Sequence, residues 1–77
     1  MRHLRVLEAR VLGYAIERIE ERDHLGTTAV WFEVLCPDSG AVLGSGATRA
    51  EAERVVIRRE LDAARRAVTL NRGHAAA

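Results

Sequence analysis

The side chains best equipped for chemistry are Cys36, His3, His24 and His74, one soft nucleophile and three imidazoles that could be counted as four zinc ligands. Zinc sites draw ligand pairs from short local spacings, and these four residues are scattered along the whole chain, so no metal is expected. A Cys36–His24 nucleophile fails for a related reason. No residue is placed to orient the imidazole, and a reactive thiol needs an electropositive, accessible setting. The run Leu43-Gly44-Ser45-Gly46-Ala47 has the glycines of a phosphate loop but lacks the Gly-Lys-Ser/Thr ending that supplies charge and magnesium ligation. Amides at the following helix start could hold a small anion, yet Glu51 stands ready to take those donors first. The expectation is no catalytic residue, no metal and no cofactor.

Surfaces therefore have to carry the function. A chain of 77 residues forms one small domain, over 1–77, with a thin core spanning about 4–70 and a frayed tail over 71–77. Such chains gain stability from disulfides, metals or self-association, and with Cys36 alone the last of these leads. All twelve basic side chains are arginine, and the formal net charge of +1 excludes the strong field of an obligate polyanion binder. No apolar run is long enough to span a membrane, Met1-Arg2-His3-Leu4 lacks the apolar centre of a secretory signal, and a single cysteine suits a reducing compartment. A cytoplasmic protein with no membrane partner is expected.

The elements that position these surfaces follow from periodicity. Leu4, Leu7, Val11 and Leu12 have the spacing of a short N-terminal helix, although a strand would also cover Val6 to Leu12. From Tyr14 the pattern alternates and predicts a first strand; one continuous helix from Leu4 to Arg22 is its rival. After a polar connection over Asp23–Thr27, Thr28 to Cys36 is the strongest strand signal in the chain. Pro37-Asp38-Ser39-Gly40 turns the chain, and Ala41 to Ala47 returns as a third strand. Thr48-Arg49-Ala50-Glu51 is a capping box that opens a long helix, running to about Leu70 before Asn71 and Gly73 stop it. The expected fold is α+β: a three-stranded antiparallel sheet packed on one C-terminal helix, with a short helix in front.

Two faces of that sheet need cover. Val30, Phe32, Val34 and Cys36 share one face and should meet the helix, with Cys36 a small buried hydrophobe; Gly44 and Gly46 would let the helix approach closely. The opposite face carries Trp31, Glu33 and Leu35, joined by Leu43 and Ile19, and is too apolar for water alone. Either the N-terminal segment folds over it or a second molecule does, tryptophan being a favoured interface anchor. The long helix has Ala50, Ile57, Leu61, Ala64 and Val68 along one side and Arg54, Arg58, Arg59, Arg65 and Arg66 around the other. That arginine stripe is either a solvated face or a contact for an acidic protein, with nucleic-acid phosphate ranking third. Glu53 and Glu60 interrupt the apolar arc and would pair with Arg5 or Arg10, or with a twin copy in a dimer.

The strand and helix order resembles several small modules: arm-type integrase domains, double-stranded-RNA-binding-like folds, HicB-like antitoxin units, and compact phage or plasmid inhibitors such as some anti-CRISPR proteins. The resemblance covers the architecture of residues 14–70 and no diagnostic motif, so it transfers no functional residue. The expected function is that of a non-enzymatic interaction protein that binds and modulates or inhibits a larger protein, as a homodimer. Trp31, Leu35 and Leu43 would anchor one contact, and Arg54, Arg58, Arg59, Arg65 and Arg66 would meet an acidic partner. A nucleic-acid-binding regulator is the alternative, and a phage- or plasmid-type inhibitor of the anti-CRISPR kind a further one.

Overall fold

A computed structural model describes the backbone of residues 2–76 and the side chains of residues 2–69. Four strands, β1 (Arg2–Val11), β2 (Tyr14–Asp23), β3 (Gly26–Leu35) and β4 (Val42–Gly46), are followed by one helix, α1 (Arg49–Ala76). The sheet is an antiparallel meander in the order β1-β2-β3-β4. The fold is thus α+β as expected, but the sheet has four strands rather than three and no N-terminal helix forms.

The N-terminal difference has a local cause. Val11 pairs with Tyr14, leaving Leu12 and Gly13 as a two-residue hairpin loop in which both take positive φ, 51° and 87°. That is the turn geometry whose twist suits antiparallel strands, and it is normally made by Asn-Gly. With the chain folded back there, Leu4, Val6 and Val11 sit on β1 opposite Glu20, Arg18 and Tyr14. Of the set with helical spacing, Leu4 and Val11 share a face only because a bulge between Leu7 and Ala9 shifts the alternation by one, Leu7 opposite Glu17 points to the other face, and Leu12 lies in the turn.

The second hairpin is tightened by Asp23, whose carboxylate accepts from the Leu25 amide at 2.7 Å, so β3 starts at Gly26, ahead of the expected Thr28. The third connection is the one anticipated. Gly40 donates to the Cys36 carbonyl at 2.9 Å, and Cys36 donates to that of Ala41 at 2.8 Å. At the helix start the Glu51 amide donates to Thr48 Oγ1 at 3.2 Å, while the Glu51 carboxylate accepts from the Ala47 amide at 2.7 Å, one residue earlier than in the usual box. α1 then runs through Asn71 and Gly73, the residues expected to stop it, and its backbone is helical to Ala76, across most of the tail expected to fray over 71–77.

The core is small and lies at one end of the sheet. Ile16, Val34, Ala52 and Val56 are buried together, with Val11, Tyr14, Phe32 and Val55 packed around them. The helix gets this near because β4 presents glycines to it: a Cβ on Gly46 would stand 2.6 Å from the Cβ of Glu51, and one on Gly44 2.8 Å from Val55 Cγ1. α1 crosses only that end of the sheet and continues beyond it. Every side chain from Ile57 through Thr69 is exposed. The molecule is accordingly long, 64 × 21 × 17 Å, with a radius of gyration of 16.6 Å against about 11.5 Å for a compact domain of this length.

Two substitutions test these local arguments by urea denaturation. Leu12→Asn removes a branched, mostly exposed side chain from a left-handed conformation and should raise stability by about 1 kcal/mol. Gly46→Ala drives a methyl into the helix backbone and should lower stability by about 1–3 kcal/mol.

Candidate functional site

Residues expected at a contact surface divide between two places. Trp31 and Leu35 lie on the sheet face turned away from the helix, where Trp31 pairs with Ile19 and Ile19 with Arg5. Ile19 is fully buried there, so this face has its own small core. The Trp31 indole is half-buried; its Nε1–H donates to Glu33 Oε2 at 3.2 Å, and its ring meets His3 edge-on at 5.8 Å. One guanidinium nitrogen of Arg5 bridges Glu17 at 3.0 Å and Glu33 at 2.8 Å. The N-terminal segment does not fold over this face as a helix. It joins the sheet as β1 and contributes His3 and Arg5 from the edge.

Glu53 and Glu60 do not pair with Arg5 or Arg10 either. Glu53 accepts from Arg49 at 3.0 Å, one turn back along the helix. The Glu60 carboxylate beside Tyr14 holds the phenol above its ordinary value. Cys36 is half-buried at the end of β3 rather than in the core, and hydrogen bonds from Ser39 and the Asp38 amide hold its thiol below the ordinary range.

On the helix-facing side of the sheet, beyond the reach of α1, Glu20 is 9% exposed beneath Leu4 and Val30, its cross-strand neighbours. Hydrogen bonding from Arg22, opposed by burial and aided by the charge of Arg18 and the Thr27 hydroxyl, holds this carboxylate below its ordinary value. Burial pushes Glu33 up, but the Trp31 N–H and Arg5 together outweigh it and the carboxylate stays depressed. Arg5, Arg18 and Arg22 are thus all committed to acids of the sheet.

The helix arginines are arranged differently. Leu43 lies with Arg54, Arg58, Arg59 and Arg66 around an open trough of about 770 Å³ between β4 and α1, floored by Tyr14, Gly44 and Val55. Arg59 donates to the Leu43 carbonyl at 3.3 Å. Arg54, Arg58, Arg65 and Arg66 make no ion pair among the described residues. Two acids share the trough, Asp62 and the capping residue Glu51. Arg65 stands on the other rim, where with Arg54 and Arg58 it flanks Ile57 and Leu61.

Sequence reasoning missed Tyr14 as part of this trough and missed the exposure of Ile57, Leu61 and Val68. The first would have needed the register of β2 against the helix. The second depends on how far α1 overshoots the sheet, for which periodicity carries no signal. Among the described residues no group of three metal-ligating side chains comes together, and no helix is long and apolar enough to cross a membrane. The chain matches no protein-family model, and no curated protein or solved structure shows significant similarity to it.

The Arg5–Glu33–Trp31 contact can be followed through the only indole of the chain. Trp31 fluorescence should change as Glu33 takes a proton, at a pH below the ordinary glutamate range. Because Arg5 favours the charged carboxylate, Arg5→Ala should move that transition upward. The sign for stability follows: with Glu20 and Glu33 depressed in the folded chain, their contribution is present above the unfolded carboxylate range and is lost as pH falls through the folded values.

Proposed function

We propose that this chain is a non-enzymatic interaction protein that binds and modulates a larger, acidic protein partner and does so as a homodimer. The observation that carries this reading is the contrast between the arginines. Arg5, Arg18 and Arg22 are neutralised within the sheet, whereas Arg54, Arg58 and Arg66 converge on one open trough with no acid paired to them among the described residues. Guanidinium groups grouped in this way suit planar carboxylates, which they can bind bidentately. Trp31 and Leu35, half-buried on the face turned away from the helix, offer apolar area for a second contact, whereas Leu43, expected beside them, lies in the trough.

Self-association is supported by the exposed surface. The chain presents 5700 Å² to solvent, about 1,000 Å² more than a compact monomer of 8.5 kDa would. Leu61, Val68, Val42 and Leu7 are each more than half exposed. A nucleic-acid-binding regulator is the second reading, favoured by the trough arginines Arg54, Arg58, Arg59 and Arg66 lying beside the aromatic ring of Tyr14. The wider class of phage- or plasmid-type inhibitors, anti-CRISPR proteins included, fits the size and architecture and rests on nothing more specific.

Sedimentation equilibrium and fluorescence anisotropy separate these readings. The protein should sediment as a dimer at micromolar concentration. A labelled oligoglutamate peptide should bind, with at least tenfold loss for the double variant Arg59→Glu/Arg66→Glu, while duplex DNA at 0.15 M salt should not bind detectably. DNA binding that falls steeply with salt, and exceeds peptide binding, would hand the trough to the nucleic-acid reading.

A further inference from the structure

One surface of α1 lies outside both the trough and the core. Within the exposed stretch, Ile57, Leu61, Ala64 and Val68 recur at alternating steps of four and three residues, the 3.5-residue repeat of a coiled-coil seam. Ile57, Leu61 and Val68 are 50%, 53% and 52% exposed. At 3.6 residues per turn the seam lies about 100° around the helix from Val56, which faces the sheet, so it looks sideways past the sheet edge. A second helix can lie along it without displacing any strand.

The flanks of this seam are sorted by sign. With Leu61 and Val68 at a and with Ile57 and Ala64 at d, the g positions hold Glu53 and Glu60, and the e positions hold Arg58 and Arg65. In a parallel pair each g side chain meets the e side chain of the next heptad, so Glu53, which also accepts from Arg49 of its own helix, meets Arg58 of the partner subunit, and Glu60, which lies beside Tyr14, meets Arg65 of the partner subunit. An antiparallel pair would instead set arginine against arginine and glutamate against glutamate. Arg58 and Arg65 have no acid partner of their own among the described residues, and Arg54, at the preceding a position, ends the apolar seam.

We infer that the occupant of this face is a second copy of the same chain, docked parallel and in register along the Ile57–Val68 seam. The inference rests on the dimeric reading above and gives it an interface. An isolated seam of two heptads would be marginal. Here the first turns of α1 are already fixed by the packing of Ala52 and Val56 on the sheet, so pairing does not have to nucleate the helix. The surplus exposed surface is also of the size that a standard interface removes from each partner, about 800 Å².

Charge reversal tests both the surface and its direction, using the full chain in sedimentation equilibrium with helical content followed by circular dichroism. Leu61→Asp should weaken the dimer at least tenfold without loss of helix signal. Glu60→Arg should weaken it similarly, and adding Arg65→Glu in the same chain should restore it. For orientation, Val68→Cys in a Cys36→Ser background should give a disulfide-linked dimer on mild oxidation, since a parallel seam sets the two thiols face to face. A dimer strengthened by Glu60→Arg, or one that fails to cross-link at position 68, is not parallel; one indifferent to Leu61→Asp uses another face. Each of those results overturns the helix pairing and leaves the dimeric reading standing, whereas a wild-type chain that stays monomeric at 100 μM overturns both.

Discussion

Ala52 reaches the sheet because β4 presents Gly46 and Gly44 where side chains would otherwise stand, and the helix backbone settles into the space their missing Cβ atoms leave. That approach brings Val56 onto Ile16 and Val34 and closes the main core. The capping arrangement of Thr48 and Glu51 fixes where α1 begins, so the entry point and the close contact are set within a few residues of each other. All that follows depends on this short anchor. With so few side chains holding it, α1 is tied down near its start, touched beyond Val56 by polar contacts such as Arg59 on the Leu43 carbonyl, and exposed from Ile57 through Thr69.

The anchor divides the charged side chains into two populations. Acids and arginines of the sheet neutralise locally, across strands in the Arg5–Glu17–Glu33 group and along one face of β2 in the Arg18–Glu20–Arg22 group. On the free part of α1 the arginines crowd the trough and the far rim, and the acids Glu53 and Glu60 lie on the other flank of the apolar stripe. The near-zero net charge of the chain thus conceals a neutralised sheet joined to a helix with strongly sided charge.

Much of this could be read from residues alone. The alternation of Thr28 to Cys36, the turn at Pro37-Asp38-Ser39-Gly40 and the Thr48-x-x-Glu51 box each rest on a local rule, and each of these elements begins within two residues of its expected place, although the helix runs past its expected end. Phe32 and Val34 face the helix and Trp31 faces away, as parity required. The first hairpin was illegible because its turn uses Leu12 in a conformation that leucine seldom adopts, and because the bulge after Leu7 imitates helical spacing. Of the candidate site, the arginine stripe could be recognised as a stripe. Its conversion into a trough depends on where β4 runs beside α1, a tertiary fact without a sequence signature.

Every strand of the sheet pairs with its neighbour in sequence, and none crosses over. Ordering such a meander closes only short loops, so its hairpins can assemble quickly and one at a time. Both outer strands carry blunting devices, the bulge in β1 and the Arg59 guanidinium over the Leu43 carbonyl of the five-residue β4. The β4 edge is therefore protected only once the helix has docked, and the folded chain offers no long, regular bare strand edge for uncontrolled stacking.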